Sequence, residues 1–549
     1  MAERTDFGVL YGQKTTSDAD ALLIYSSYED AKASPKKGDF IVLTPKNEGG
    51  EKFLARVEAE IYDEDPLFRS QDKTLVAVHY ARIAERELSE RDKQKMFSYT
   101  YRVQMLGTFV DTGQSLTFTT AVRKLPVVSY HARHLNKREV DTIINGQDTG
   151  GIPIGYLCIG EAVHTDKGQI LFNLDRLRSR RTMVFAQSGF GKTNLVKLLL
   201  YHAIKDTSYG KLIFDLNGEY VQDSKRTVGL SSIDEPSIRE NLVVFSDKKN
   251  MPTDNKRFTY GGTVELNMHQ DLTVGDILAF SPGFSDVMTS FLQYLDDEGV
   301  SDFVANVDAY VSNPQLLHQQ YPDFWAQQKE GSKEDASARR TIAAIRKRIR
   351  HLIDEGKGLH RNNSTLTQQV FSALSKGKTV VIDLSLKETR DASIISTILV
   401  RKLFEHNKQE FTNDQANKVI ETVIFVEEAQ NVLSEELVKT NANPFVRCAK
   451  EGRKFGLGMV TITQRPSAIS EEIRTQAENF FALHMGNTDD IHALVRSNVN
   501  YDGVISHFIQ RETIPGNLYM VTSEKAFIVP VRVDEFERVV EGRKYVSGQ

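Results

Sequence analysis

The segment Ala186-Gln-Ser-Gly-Phe-Gly-Lys-Thr193 constrains this chain more than any other. It follows an apolar strand-like run ending in Val184-Phe185 and opens a helix expected over Lys192–Ile204. A glycine turn between a strand and a helix aims backbone N–H groups and the positive end of the helix at one point, which suits a polyphosphate. Gly189 and Gly191 allow close backbone approach, with Ser188, Phe190 and Asn194 completing the lining. Lys192 is expected to reach the β- and γ-phosphates, and Thr193 to bind Mg²⁺ through its hydroxyl. The first glycine of the G-x-x-x-x-G-K-[ST] pattern is Ala186 here, a change that fits if its φ stays negative. ATP and Mg²⁺ are therefore the expected cofactors.

A second strand-like run, Val423-Ile-Phe-Val426, ends in Glu427 and Glu428. Two carboxylates at the end of a buried strand match the metal-holding and water-polarising acids of a nucleotide hydrolase. Glu427 takes the metal position, where Asp is usual, and Glu428 is the candidate base. Thr461-Ile-Thr463-Gln464 places polar groups at another strand end, where Gln464 can sense a γ-phosphate. Lys450-Glu-Gly-Arg453-Lys454-Phe-Gly456 is a basic, glycine-bearing turn after a helix, and such a turn can present Arg453 to a neighbouring subunit's nucleotide.

These pieces sit in alternating strands and helices over about 165–220 and 375–535, the pattern of a parallel α/β sheet. Residues 270–360 read mainly as helix. Within them 336–355 puts Ile342, Ile345, Ile349, Leu352 and Ile353 on one face, and carries Arg339, Arg340, Arg346, Lys347, Arg348 and Arg350. A solvated amphipathic helix explains those charges better than a nucleic-acid surface. Residues 1 to about 165 read as short strands: Phe53–Ile61 alternates at period two, as do Tyr99, Tyr101, Val103 and Met105. That spacing suggests a small antiparallel barrel, with Cys158 in its core and a helix or loop over 84–96. The expected division is a barrel over 1–165, an ATPase core over 166–269 and 361–549, and a helical insertion over 270–360.

Composition removes several alternatives. The 549 residues carry 69 Lys plus Arg against 74 Asp plus Glu, so any nucleic-acid contact must be a local patch. The two cysteines, Cys158 and Cys448, exclude a disulfide framework. His131 and His134 have a spacing that two metal ligands share on a helix, but no third ligand is near, and they read as ordinary histidines. The first ten residues lack a signal-peptide core, and no run of about 18 apolar residues occurs. A cytoplasmic protein without a membrane span is expected.

The order of these motifs resembles the HerA-type ATPases of the HerA/FtsK superfamily. The likeness rests on SGFGKT at 188–193, DLNGEY at 215–220, FVEEAQ at 425–430, and EGRKFG at 451–456 followed by TQRP at 463–466. Ala186 and Glu427 depart from the family pattern. The resemblance implies an N-terminal β-barrel, a RecA-like core and a helical insertion, assembled as a hexameric ring that moves on double-stranded DNA. It implies that Asp215 and Glu219 lie beside the nucleotide, that Arg453 acts in trans, and that Arg181 matches a further arginine at the site. It also implies an effector partner, a nuclease or a sirtuin-like NAD-consuming enzyme, docked on the barrel in DNA end processing or anti-phage defence. A nucleotide-gated scaffold that activates such an effector with little translocation is the alternative.

Overall fold

The computed structural model describes residues 6–16, 19–27, 35–46, 50–64, 97–113, 115–146, 150–159, 162–163, 169–223, 227–280, 284–297, 303–313, 315–320, 333–356, 358–413, 415–440, 443–523 and 525–543. Two units emerge from the contacts. The first comprises residues within 1–173, 185–192 and 478–534, and the second those within 174–184, 193–477 and 535–549.

In the first unit, β1 (Asp6–Thr16), β2 (Ala19–Ser27), β3 (Phe40–Thr44), β4 (Lys52–Glu64), β5 (Phe97–Asp111), β6 (Leu116–Thr119) and β7 (His131–His134) form one antiparallel sheet. Its order is β2-β1-β7-β3-β4-β5-β6, and a further β2–β5 pairing closes six of the strands into a barrel, with β6 added on β5. Closure needs coiled strands, and the long β4–β5 ladder supplies this through register shifts at Leu54/Ala55 and Val57/Ala59. Period-two alternation sends Phe53, Ala55 and Val57 inward against Tyr101 and Val103, with Phe7, Leu10, Leu22, Ile24, Ile41 and Leu43 completing the core. Arg56, on the opposite face, is buried as well and is held by Glu58 at 2.9 Å and Gln104 at 2.8 Å.

His131 and His134 lie on a strand, not a helix, and His131 Nδ1 sits 3.3 Å from Asp6 Oδ2. The helix or loop expected over 84–96 lies outside the described residues. After α1 (Lys137–Asn145), opened by a capping box between Asn136 and Glu139, come β8 (Ile152–Ile159), β9 (Ala162–Val163) and β10 (Gln169–Phe172). Here Cys158 corrects the sequence reading. It is buried, but on β8, which pairs with β9 and β10 outside the barrel sheet, and its thiol faces Asn517 Oδ1 at 3.6 Å. An apolar run shows that a strand is buried without showing which sheet takes it.

The second unit is built on β11 (Arg181–Phe185), which leads to the glycine turn and α2 (Lys192–Ala203). It continues with β12 (Gly210–Asp215), β13 (Leu242–Ser246), β14 (Thr259–Gly262), β15 (Thr379–Asp383), β16 (Thr422–Val426) and β17 (Leu457–Thr463). The order is β11-β17-β16-β12-β15-β13-β14, with β12, β13, β15 and β16 in parallel pairings. Every residue of β12, β15, β16 and β17 is buried, as a sheet covered on both faces requires.

Between β14 and β15 lie the expected inserted helices, α3 (Val274–Phe280), α4 (Asp286–Asp297), α5 (Phe303–Ser312), α6 (Gln315–Gln320) and α7 (Lys333–Ile353). On α7 the five apolar residues named from the sequence are buried. Arg346 is paired with Asp308 at 2.5 Å and Asp354 at 2.8 Å, while Arg339, Arg340, Lys347, Arg348 and Arg350 are exposed. The chain then passes through α8 (Leu366–Ser375), α9 (Thr389–Thr412) and α10 (Pro444–Glu451). It returns to the first unit as β18 (Asn479–Ala482), β19 (Asn517–Thr522) and β20 (Lys525–Val533), an antiparallel set in which β20 pairs with β8. A last helix, α11 (Phe536–Val539), belongs to the second unit. Among the described residues, no helix is long and apolar enough to cross a membrane.

Candidate functional site

The phosphate-loop segment 185–192 is shaped by its neighbours in the first unit. Gln187 N–H donates to His484 O at 2.9 Å, and Gly516 N–H donates to Phe190 O at 3.1 Å. The Phe190 ring stacks on His484 with centroids 4.1 Å apart, and the His484 ring is itself pinned on Ile509 O at 3.0 Å. Gly189 and Gly191 have φ of 86° and 97°, which only glycine adopts without strain. Ala186 is fully buried and is not among the positive-φ residues, so alanine costs nothing at the first position of the pattern. Ser188 and Gly189 are exposed, and Phe190, Gly191 and Lys192 partly so.

The acidic groups gather in the second unit at the carboxyl ends of β12 and β16, where parallel sheets bind ligands. Asp215 ends β12 and turns its carboxylate back on its own chain. Oδ1 accepts from Gly218 N–H at 2.7 Å and Glu219 N–H at 3.1 Å, and Oδ2 accepts from Tyr220 N–H at 3.1 Å. Burial pushes its pKa up to about 6 against the pull of these N–H groups. Gly218, at φ 69°, takes the left-handed conformation the turn needs, in which a side chain is strained.

The turn so folded aims three side chains. Thr193 Oγ1 donates to Glu219 Oε2 at 2.7 Å. Tyr220 Oη donates to Glu427 Oε1 at 2.7 Å, and Asn217 Nδ2 donates to Glu427 Oε2 at 3.3 Å. Glu427 is buried at 4% exposure.

Glu428 follows in a left-handed conformation, φ 45° and ψ 46°, of the kind that concentrates at functional sites. Its carboxylate accepts from Gln430 Nε2 at 2.7 Å and from Gln464 Nε2 at 3.1 Å. Gln430 is oriented in turn by Thr463 Oγ1 at 2.6 Å. A chain of polar groups thus runs Thr463–Gln430–Glu428–Gln464.

Other expected residues have different surroundings. Asn194 spends its side-chain oxygen on Phe536 N–H at 2.8 Å. Next to it in the same helix, buried Lys197 donates to Thr227 Oγ1 and Val228 O at 2.8 Å each, and Glu537 holds Thr227 at 2.7 Å. Arg181 donates to Ala449 O at 2.9 Å and Gln476 Oε1 at 2.7 Å. Arg178 forms a bidentate pair with Glu421 at 2.7 and 3.0 Å, a structural role. Arg453 is exposed on a short turn, Gly452–Phe455, closed by Gly456 at φ 69°. Asn407, fully buried, ties that turn down by donating to Phe455 O at 2.8 Å.

Among the described residues, no group of three or more His, Cys, Asp or Glu forms a metal cage. The donors at Thr193, Glu219 and Glu427 are hard oxygens, few in number. That suits Mg²⁺, which takes one or two protein oxygens and completes its shell with water and phosphates. Sequence reasoning assigned no role to Asn217, Tyr220 or Gln430, although each stands inside a motif it used. Their spacing from the motif acids was the available signal.

The family model described as Helicase HerA, central domain, matches residues 157–403, and the model for Zonular occludens toxin matches 335–492. A probable helicase of Methanocaldococcus jannaschii is 21% identical over 92% of both chains. The DNA double-strand break repair helicases HerA of Pyrococcus furiosus and Sulfurisphaera tokodaii are each 23% identical. The first aligns over 63% of this chain and 63% of its own length, the second over 76% and 75%. VirB4 of Thermoanaerobacter pseudethanolicus, 13% identical, covers 70% of this chain and 97% of its own at a TM-score of 0.42. The HerA central-domain match thus spans the phosphate loop, the 215–220 turn and the inserted helices, and over that stretch this chain is similar to the HerA-type helicases.

Proposed function

We propose that this ATPase assembles as a ring, a hexamer, and couples ATP hydrolysis to movement on double-stranded DNA, working with an effector that docks on the N-terminal barrel. The observation that carries the reading is the Glu428–Gln464 contact at 3.1 Å, because it joins the candidate base to the candidate γ-phosphate sensor in one hydrogen-bonded pair. The names of the HerA relatives support DNA as the substrate.

In this reading the loop amides and Lys192 hold the phosphates, and Thr193 and Glu427 serve Mg²⁺, which neutralises phosphate charge when bound. Glu428 orients and polarises the attacking water. Gln464, released from Glu428, reports the presence of the γ-phosphate. Arg453, exposed on its turn, reaches the nucleotide of the next subunit, so turnover depends on assembly. Contacts to DNA are to phosphates rather than bases, since a motor must not halt at a sequence.

The experiment is ATP turnover with and without linear duplex DNA, with Glu428→Gln as the blank. Stimulation that the variant loses supports the motor. Turnover indifferent to duplex overturns it and favours a nucleotide-gated scaffold for the effector, a nuclease or a sirtuin-like NAD-consuming enzyme.

A further inference from the structure

We infer that Tyr220 is a positioning residue for Glu427, and that the 215–220 turn sets the metal end of the site from two sides at once. The inference rests on the reading above in which Thr193 and Glu427 serve the Mg²⁺ of a bound nucleotide.

Glu427 is a buried carboxylate at the end of an apolar strand, on a side chain with three rotatable bonds. A buried carboxylate needs donors, and those donors decide where its oxygens point. Tyr220 Oη at 2.7 Å on one oxygen and Asn217 Nδ2 at 3.3 Å on the other supply them. Tyr220 is fully buried, and its phenol is aimed at the Glu427 carboxylate. Its backbone N–H is in turn fixed by Asp215 Oδ2 at 3.1 Å. The residue between them in the chain, Glu219, faces the other way and takes the Thr193 hydroxyl at 2.7 Å.

One short turn therefore orients both protein oxygens that the metal would use. Asp215 acts one step further back, by folding the turn. Partners of this kind, touching a ligand and not the metal, are typically worth 10–100-fold in metal affinity or activity.

The test uses the full chain and a fluorescent ATP analogue, titrated with Mg²⁺ and separately in EDTA. Tyr220→Phe keeps the ring and deletes the donor. It is expected to raise the Mg²⁺ needed for half-maximal nucleotide affinity by about tenfold or more, with affinity in EDTA within twofold of wild type. Tyr220→Phe combined with Glu427→Gln should be no worse than Glu427→Gln alone. An unchanged Mg²⁺ titration, an equal loss in EDTA, or additive effects in the double variant overturns the inference. Should Tyr220→Phe fold poorly by thermal unfolding, Asn217→Ala is the second variant: it deletes the other donor to Glu427 and must raise the Mg²⁺ requirement with affinity in EDTA unchanged, or the inference fails. Lys192→Ala separates the two levels. If it binds nucleotide like wild type, the nucleotide reading itself fails, whatever Tyr220 does.

Discussion

Gln464 Nε2 donates to Glu428 Oε1 at 3.1 Å, so one end of the candidate base is held by the strand terminus expected to sense the γ-phosphate. The other end is held by Gln430 at 2.7 Å. Removing Gln464 takes away one of the base's anchors together with the sensor. Gln464→Ala is expected to lower kcat by about 10²-fold or more, the scale of a misplaced acid–base group, with nucleotide affinity within threefold. Steady-state turnover and analogue binding check this together, and an affinity loss as large as the kcat loss would refute it.

Thr193 and Glu219 share a hydrogen bond, so their substitutions should not add. Thr193→Ala and Glu219→Gln are each expected to weaken Mg²⁺-dependent nucleotide binding. The double variant should fall short of the sum by about 0.5–3 kcal/mol, the range for residues in direct contact. A double-variant cycle on analogue affinity measures the coupling, and strict additivity would remove Glu219 from the site.

Asp215 gives a pH signature whose sign is set by burial. Its pKa in the folded protein is about 6, above the ordinary carboxylate value of 3.8. The folded state thus prefers the protonated form, and the stability this group contributes is present below about pH 4 and is lost as pH rises to about 6. Activity runs the other way, because only the carboxylate accepts fully from the three N–H groups of the turn. Turnover is expected to fall as pH drops through about 6, and Asp215→Asn should be impaired at every pH without that step. Urea unfolding and turnover of both proteins from pH 4 to 8 test the pair of trends.

Arg453 is exposed on the second unit, where trans action would require it. Arg453→Ala protomers mixed with Glu428→Gln protomers are expected to regain turnover through hybrid interfaces. Mixed rings that stay inactive at every ratio, with subunit exchange shown by labelled protomers, would assign Arg453 another role.

Much of this architecture is legible in the sequence because it rests on local signals. The glycine turn at 189–191 and the apolar runs of β12, β15, β16 and β17 announce themselves by residue type. Ala186 was readable too, since its backbone needs no glycine conformation. What local pattern does not encode is pairing across long separations. β8 bonds to β20, some 370 residues on, and that pairing takes Cys158 out of the barrel. β13, a short apolar run between polar loops, was not assigned from sequence. Tyr220 on Glu427 spans 207 residues, and a tyrosine whose neighbour is set by topology looks like any core aromatic until the fold is known.

The hydrogen bond from Phe536 N–H to Asn194 Oδ1 joins residues 342 apart, so the first turn of α2 takes a contact from a segment made long after it. During synthesis the phosphate-loop helix emerges 342 residues before this partner of its Asn194. The first turn of α2 therefore gains this contact only after residue 536 has been made. A ribosome-bound fragment ending before 535 would carry the loop and α2 without that contact.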